Sequence, residues 1–146
     1  MAVHALAVLA QSDEGYPSAF LASSVNTHAV FLRRILRELV GAGLVRAREG
    51  RAGGYRLARP ASRITLADVY LAIEPSGPLA PSPAEPNARC PVGAGMRGAF
   101  SEAARAAEQG LVGALAARTV ADLTRSALRH ARRSGRPGRA GPVRSA

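Results

Sequence analysis

Nine arginines and only two acids, Glu38 and Glu49, fall between residues 33 and 63. The chemistry open to guanidinium groups set this densely is the recognition of anions. Each is planar, permanently charged and able to donate in pairs to phosphate or to the O6/N7 edge of guanine. A second block, residues 125 to 146, holds seven arginines and no acid. Residues 64 to 124 carry four arginines against six acids, and residues 1 to 32 carry two acids and no arginine, so the net charge of +10 is concentrated in two places. All twenty basic residues are arginine. Clustered positive charge neutralises phosphates and releases their counterions, which makes nucleic acid, and on the reading below double-stranded DNA, the leading partner.

Other chemistries lack their residues. Cys90 is the single cysteine, which excludes an intrachain disulfide and any cysteine-only metal or iron–sulfur site within one chain. No histidine stands at a recognisable spacing from it, carboxylates are not clustered, and the glycines of GRAGG open no helix, so neither catalysis nor a dinucleotide or metal cofactor is expected. His4 and His28 read as packing residues rather than metal ligands. The apolar opening MAVHALAVLA is too short to span a bilayer and lacks a basic leader. A reducing, cytoplasmic setting without membrane contact is the expectation.

The elements that must position these arginines can be read from periodicity. Residues 2 to 11 and Ser18 to Ser24 suit two short helices, the second with Pro17 at its start. In the next segment Leu32, Ile35, Leu36, Leu39 and Val40 repeat at helical spacing, Asn26 or Thr27 can cap the start, and Gly41 and Gly43 end it. At about 100° per residue, Thr27, Val30, Arg33, Arg34 and Arg37 then project from the opposite face. Two short helices before a third with a basic outer face is the helix-turn-helix arrangement. A merely solvated helix can also carry arginines outward, so the helix alone does not decide.

The segment after this helix tips the balance. LVRAREG and YRLARP are short runs joined by a glycine-rich turn, which reads as a β-hairpin. Gly50, Gly53 and Gly54 allow a sharp turn and close approach to another surface, while Arg46, Arg48, Arg51 and Arg56 stud the hairpin. A basic hairpin directly after a basic third helix suits phosphate or minor-groove contact. Tyr55 is expected to pack the hairpin onto the domain. Thr65 and Asp68 have capping-box spacing before a fourth helix.

Residues 75 to 95 are proline-rich and read as a linker loop. Residues 96 to 117 favour helix, with Phe100, Ala103, Ala104, Ala107, Leu111 and Leu115 in a stripe, and Thr119 with Asp122 caps a last helix ending near Arg133. The preceding domain, residues 1 to 74, cannot obviously bury that stripe, so residues 96 to 133 are expected to dimerise, with Phe100, Ala104, Ala107, Leu111 and Leu115 at the interface. Residues 134 to 146 read as a disordered basic tail. The expected fold is mainly α, a winged helix-turn-helix domain with a small two-stranded β wing plus a long C-terminal dimerisation helix.

With those residues in hand, AGLVRAREGRAGGYRLARPASRITLADVYLAIE at 42 to 74 resembles the Rrf2 family of bacterial winged-helix transcriptional regulators, in which GLV, GGYRLARP and ITLADV stand in this order and spacing. The resemblance runs from about residue 2 to about residue 124. It implies a third helix for the major groove, a wing for the minor groove, a long helix crossing to a second subunit, and a promoter as target, usually with repression as the outcome. Cluster-binding relatives carry three cysteines between the fourth helix and the long helix, where this chain has Cys90 alone, in RCPVGAG. A family-type cluster is therefore not expected, and the chain looks like the subgroup without one. Arg33 and Arg34 stand where cluster-type members often have Glu and Gln, so operator sequence does not carry over. Cys90 is either a thiol sensor, with Arg89 adjacent, or an inert cysteine, because sensing needs a depressed pKa and access that adjacency does not establish. An unidentified small-molecule or redox effector is implied. The competing reading is a winged-helix scaffold or a non-specific nucleic-acid-binding protein.

Overall fold

The computed structural model describes residues 1–48, 53–74, 87 and 89–135. Six helices and a two-stranded sheet follow one another as α1 (Ala2–Leu9), α2 (Ser18–Ser24), α3 (Ala29–Gly41), β1 (Val45–Arg48), β2 (Gly54–Leu57), α4 (Leu66–Ile73), α5 (Pro91–Ala116) and α6 (Val120–Arg133), with a 3-10 turn at Ala61–Arg63 before α4. This is the winged helix-turn-helix arrangement the sequence suggests, mainly α with a small β wing.

Its core forms where the helical stripes converge. Leu6 and Leu9 of α1, Leu21 of α2, Leu32, Leu36 and Leu39 of α3, then Leu44, Val45, Ile64 and Val69 are buried together. Fully burying one such side chain is worth roughly 1.5–3 kcal/mol, so this cluster dominates the stability of the helix-turn-helix domain. Val120, the first residue of α6, joins the same cluster and is completely buried. The last helix is therefore seated in the core of the first half rather than standing apart from it.

The seat is built from two capping boxes laid side by side. Asp68 N–H donates to Thr65 Oγ1 at 3.0 Å and Thr65 N–H to Asp68 Oδ2 at 2.8 Å. Asp122 N–H donates to Thr119 Oγ1 at 3.1 Å, and Thr119 N–H to Asp122 Oδ2 at 3.0 Å. Thr65 and Thr119 pair as an antiparallel bridge, through Leu66 N–H to the Arg118 carbonyl and Val120 N–H to the Ile64 carbonyl, each 2.8 Å. Both boxes were legible from spacing.

Several expectations need correction. α3 is not capped by Asn26 or Thr27: His28 holds the cap position without a side-chain hydrogen bond, while Asn26 takes a left-handed φ of 52° in the turn. α5 begins at Pro91, not near Met96, because a proline at the first helical position loses no hydrogen bond and Cys90 caps the end. The loop expected over 75 to 95 thus gives way to helix from residue 91, and residues 75–86 and 88 lie outside the described residues. His4 and His28 are exposed rather than packed.

Candidate nucleic-acid interface

α3 is amphipathic in the way its sequence requires. Leu32, Leu36 and Leu39 are buried, and Val30, Arg33, Arg34 and Arg37 stand on the opposite side, all exposed. Val30, Arg33, Arg34 and Arg37 line one open concavity, closed on its far side by Val40 of α3 and by Ala47 and Tyr55 of the hairpin. Arg37 pairs with Glu38 at 3.5 Å, but both side chains are largely in water, where such a pair contributes little. Among the described residues Glu38 is the acid of this helix, so the outer face is positive. Thr27 sits in the turn before α3, half-buried, its N–H bonded to the Ala22 carbonyl at 3.0 Å. Phe31, half exposed beside Val30, belongs to the same end of the helix. It was not among the expected residues, although its rotation of about 100° from buried Leu32 marks it as outward.

The hairpin pairs Val45 with Leu57, Arg46 with Arg56, Ala47 with Tyr55 and Arg48 with Gly54. Successive strand residues alternate faces, so this register separates two surfaces. Val45, Leu57, Ala47 and Tyr55 form one, directed at the core and at α3. Arg46, Arg56 and Arg48 share the other. Arg48 and Arg56 line a different concavity with Asp13, Glu14, Gly15, Tyr16 and Pro17 of the α1–α2 connection. The structure therefore brings the α3 arginines together and the hairpin arginines together, but on two surfaces that meet at Tyr55 rather than in one groove. Like charges directly opposite on a sheet, as at Arg46 and Arg56, repel, and an anion placed between them relieves that repulsion. Arg51 and Gly50 lie outside the described residues.

Tyr55 holds the hairpin in place, as expected. Its N–H donates to the Tyr16 carbonyl and its carbonyl accepts from Tyr16 N–H, each at 2.9 Å. The Tyr16 ring stacks on Phe20 with centroids 4.5 Å apart. The bridge needs close backbones. A Cβ on Gly54 would lie 2.8 Å from the Tyr16 carbonyl oxygen, and one on Gly15, whose φ is 85°, would collide with the Tyr55 carbonyl. The surface that Gly54 approaches is thus the α1–α2 connection, and half-buried Gly53 lines the same concavity.

α5 presents two faces. Ser101, Ala104, Glu108, Val112 and Leu115 are half-buried on the side packed against α4. There the Tyr70 hydroxyl is buried, and desolvation, then the charges of Glu108 and Glu74, hold it above the usual phenol range. Met96, Phe100, Ala103, Ala107 and Leu111 form the other face, exposed along its length, and Phe100 keeps 46% of its surface in water. Of the residues expected at a subunit interface, Phe100, Ala107 and Leu111 are on this outward stripe, whereas Ala104 and Leu115 turn toward α4.

At the start of α5, exposed Cys90 accepts a hydrogen bond on Sγ from Gly93 N–H at 3.5 Å. One thiol cannot supply the ligands of an iron–sulfur cluster, and among the described residues no group of three His, Cys, Asp or Glu is gathered. The donor set of this chain does not fit such a group. Among the described residues no helix is long and apolar enough to cross a membrane.

Comparison with known proteins agrees with this geometry. Residues 1–126 match the model of the family described as Rrf2, iron-dependent transcriptional regulator. The chain is 31% identical over 123 residues to a Bacillus subtilis protein named as an HTH-type transcriptional regulator, YwnA, covering 84% of this chain and 91% of that one. Among solved structures it is similar to IscR of T. potens, with a TM-score of 0.61 at 23% identity over 86% of this chain and 82% of that one. It is also similar to CymR of B. subtilis, with a TM-score of 0.54 at 24% identity over 86% and 93%. These two likenesses establish the fold.

Proposed function

Because this chain belongs to the Rrf2 family of transcriptional regulators, we propose that it works as a homodimeric, sequence-specific DNA-binding repressor in the cytoplasm. In this reading α3 enters the major groove of an inverted-repeat operator, and the arginine hairpin contacts flanking backbone and minor groove. One observation carries it: Val30, Arg33, Arg34 and Arg37 share a single outward concavity on a helix whose other face is locked into the core. Recognition helices read base edges from such a face. The uncovered stripe of α5 supports pairing of two chains, since an apolar face of this length marks an interface. Two-fold pairing in turn sets half-sites about one helical turn, roughly 34–36 Å, apart.

The function is binding rather than catalysis, and it proceeds without an iron–sulfur cluster, because the residues present cannot ligate one. The signal is an effector of unidentified chemistry, with the Cys90 thiol as the candidate redox contact.

Selection of randomised duplexes by the full-length protein tests the reading. It should enrich an inverted repeat. Arg33→Ala should lower the ratio of operator to random-DNA affinity about tenfold, the size of one lost bidentate guanine contact. Arg46→Ala, on the hairpin, should weaken both duplexes alike. Equal losses on operator and random DNA for both variants would contradict the division of labour. Residues 125 to 146 carry seven arginines, which favours a second reading as a non-specific nucleic-acid binder. Operator binding that survives removal of residues 134–146 sets that reading aside, and binding that vanishes altogether favours it.

A further inference from the structure

We propose that Val30 makes this protein select a thymine in each half-site, by packing its methyl groups against the C5-methyl of that base. The assignment rests on the proposed reading of DNA by α3 and adds to it the identity of one recognised base.

Val30 occupies the first turn of α3, the part of a recognition helix that reaches base edges. It is 72% exposed, the most exposed of the large apolar residues described. Helical rotation sets it over the middle of the outward face, in line with Arg34 and Arg37, and it lines the same concavity as Arg33, Arg34 and Arg37. An aliphatic group so placed is costly in water, and nothing in the chain covers it among the described residues.

The bases offer it one complement. In the major groove guanine shows two acceptors, adenine an acceptor and a donor, and cytosine a donor, whereas thymine shows the C5-methyl beside its O4 acceptor. Docking Val30 on a polar edge strips water from that edge without replacing its hydrogen bonds, which is unfavourable. Docking it on the thymine methyl removes apolar surface from water on both sides. The arginines of the next turn stay free to donate to O4, to neighbouring guanines or to phosphate.

The test uses the full-length protein and an operator selected from an enzymatically amplified library, which contains no methylcytosine and so leaves thymine as the source of any C5-methyl. Each thymine of the half-site is replaced in turn by deoxyuridine, which deletes the methyl and preserves base pairing. One position per half-site should weaken wild-type binding about fourfold, the worth of one buried methyl-sized group. The Val30→Ala variant, checked by circular dichroism, should bind thymine and uracil duplexes at that position alike. An operator whose binding is indifferent to uracil at every position overturns the assignment while leaving DNA reading intact. So does a Val30→Ala variant that keeps the full uracil penalty. A library from which no sequence is enriched overturns the regulator reading itself, and this assignment with it.

Discussion

Cys90 holds the first turn of the longest helix with a weak acceptor. Its sulfur receives Gly93 N–H at 3.5 Å, where serine would offer a far better capping oxygen. Cys90→Ser should therefore stabilise the protein by about 0.5 kcal/mol, seen as a rise in the thermal midpoint. The same variant tests the thiol as a sensor: an oxidant response of DNA binding that persists in Cys90→Ser rules the sulfur out. At this scale the sequence was informative about which residues matter and less so about where they point. Helical rotation placed Arg33, Arg34 and Arg37 outward without any structure. Strand parity put Arg46 and Arg48 on one face, but Arg56 joins them only through the Arg46–Arg56 register, which turn length sets and composition does not. The helix and the hairpin thus carry separate arginine surfaces, which meet at Tyr55.

The paired capping boxes of α4 and α6 invite a test at the level of the element. Hydrogen bonds from the Thr119 side chain and backbone, aided by the Arg125 charge and opposed by desolvation, hold Asp122 below the usual carboxylate range. A depressed carboxylate contributes stability that is present above its unfolded value, about 3.9, and lost as pH falls through the folded value. Asp122→Asn should lower the urea midpoint at neutral pH, and the gap to wild type should close as the solution is taken into the acid limb. A gap unchanged across that range would mean the carboxylate charge plays no part. Both boxes were visible as Thr-x-x-Asp before apolar runs. The start of α5 was not, because Pro91, Gly93, Gly95 and Gly98 look like loop, and only the capping contact at Cys90 shows how a helix begins there. Likewise Asn26 has a capper's side chain, yet the tight turn before α3 needs it in the left-handed region instead.

For the molecule as a whole, the stripe of Met96, Phe100, Ala107 and Leu111 is the surface on which pairing should depend. Phe100→Glu should leave the helical content intact, since the residue lies on the outward stripe with 46% of its surface in water, and should shift the mass measured by light scattering from dimer to monomer. Operator affinity should fall with it, because each half-site would be bound alone. A variant that stays dimeric would move the interface elsewhere. Sequence could find the stripe but not divide it. That α4 covers the Ala104 and Leu115 side follows from tertiary packing alone.

Val120 has a consequence for how the gene tolerates damage. This side chain, brought in beside the Ile64 carbonyl, completes a core whose other members all lie before residue 70. A ribosome that stops between the end of α3 and Val120 releases a product that still carries α3 yet lacks the side chain that closes the core around it. Such a fragment should be cleared by proteases rather than persist as a competitor for promoters. Stop codons in that interval should then behave as simple losses of function.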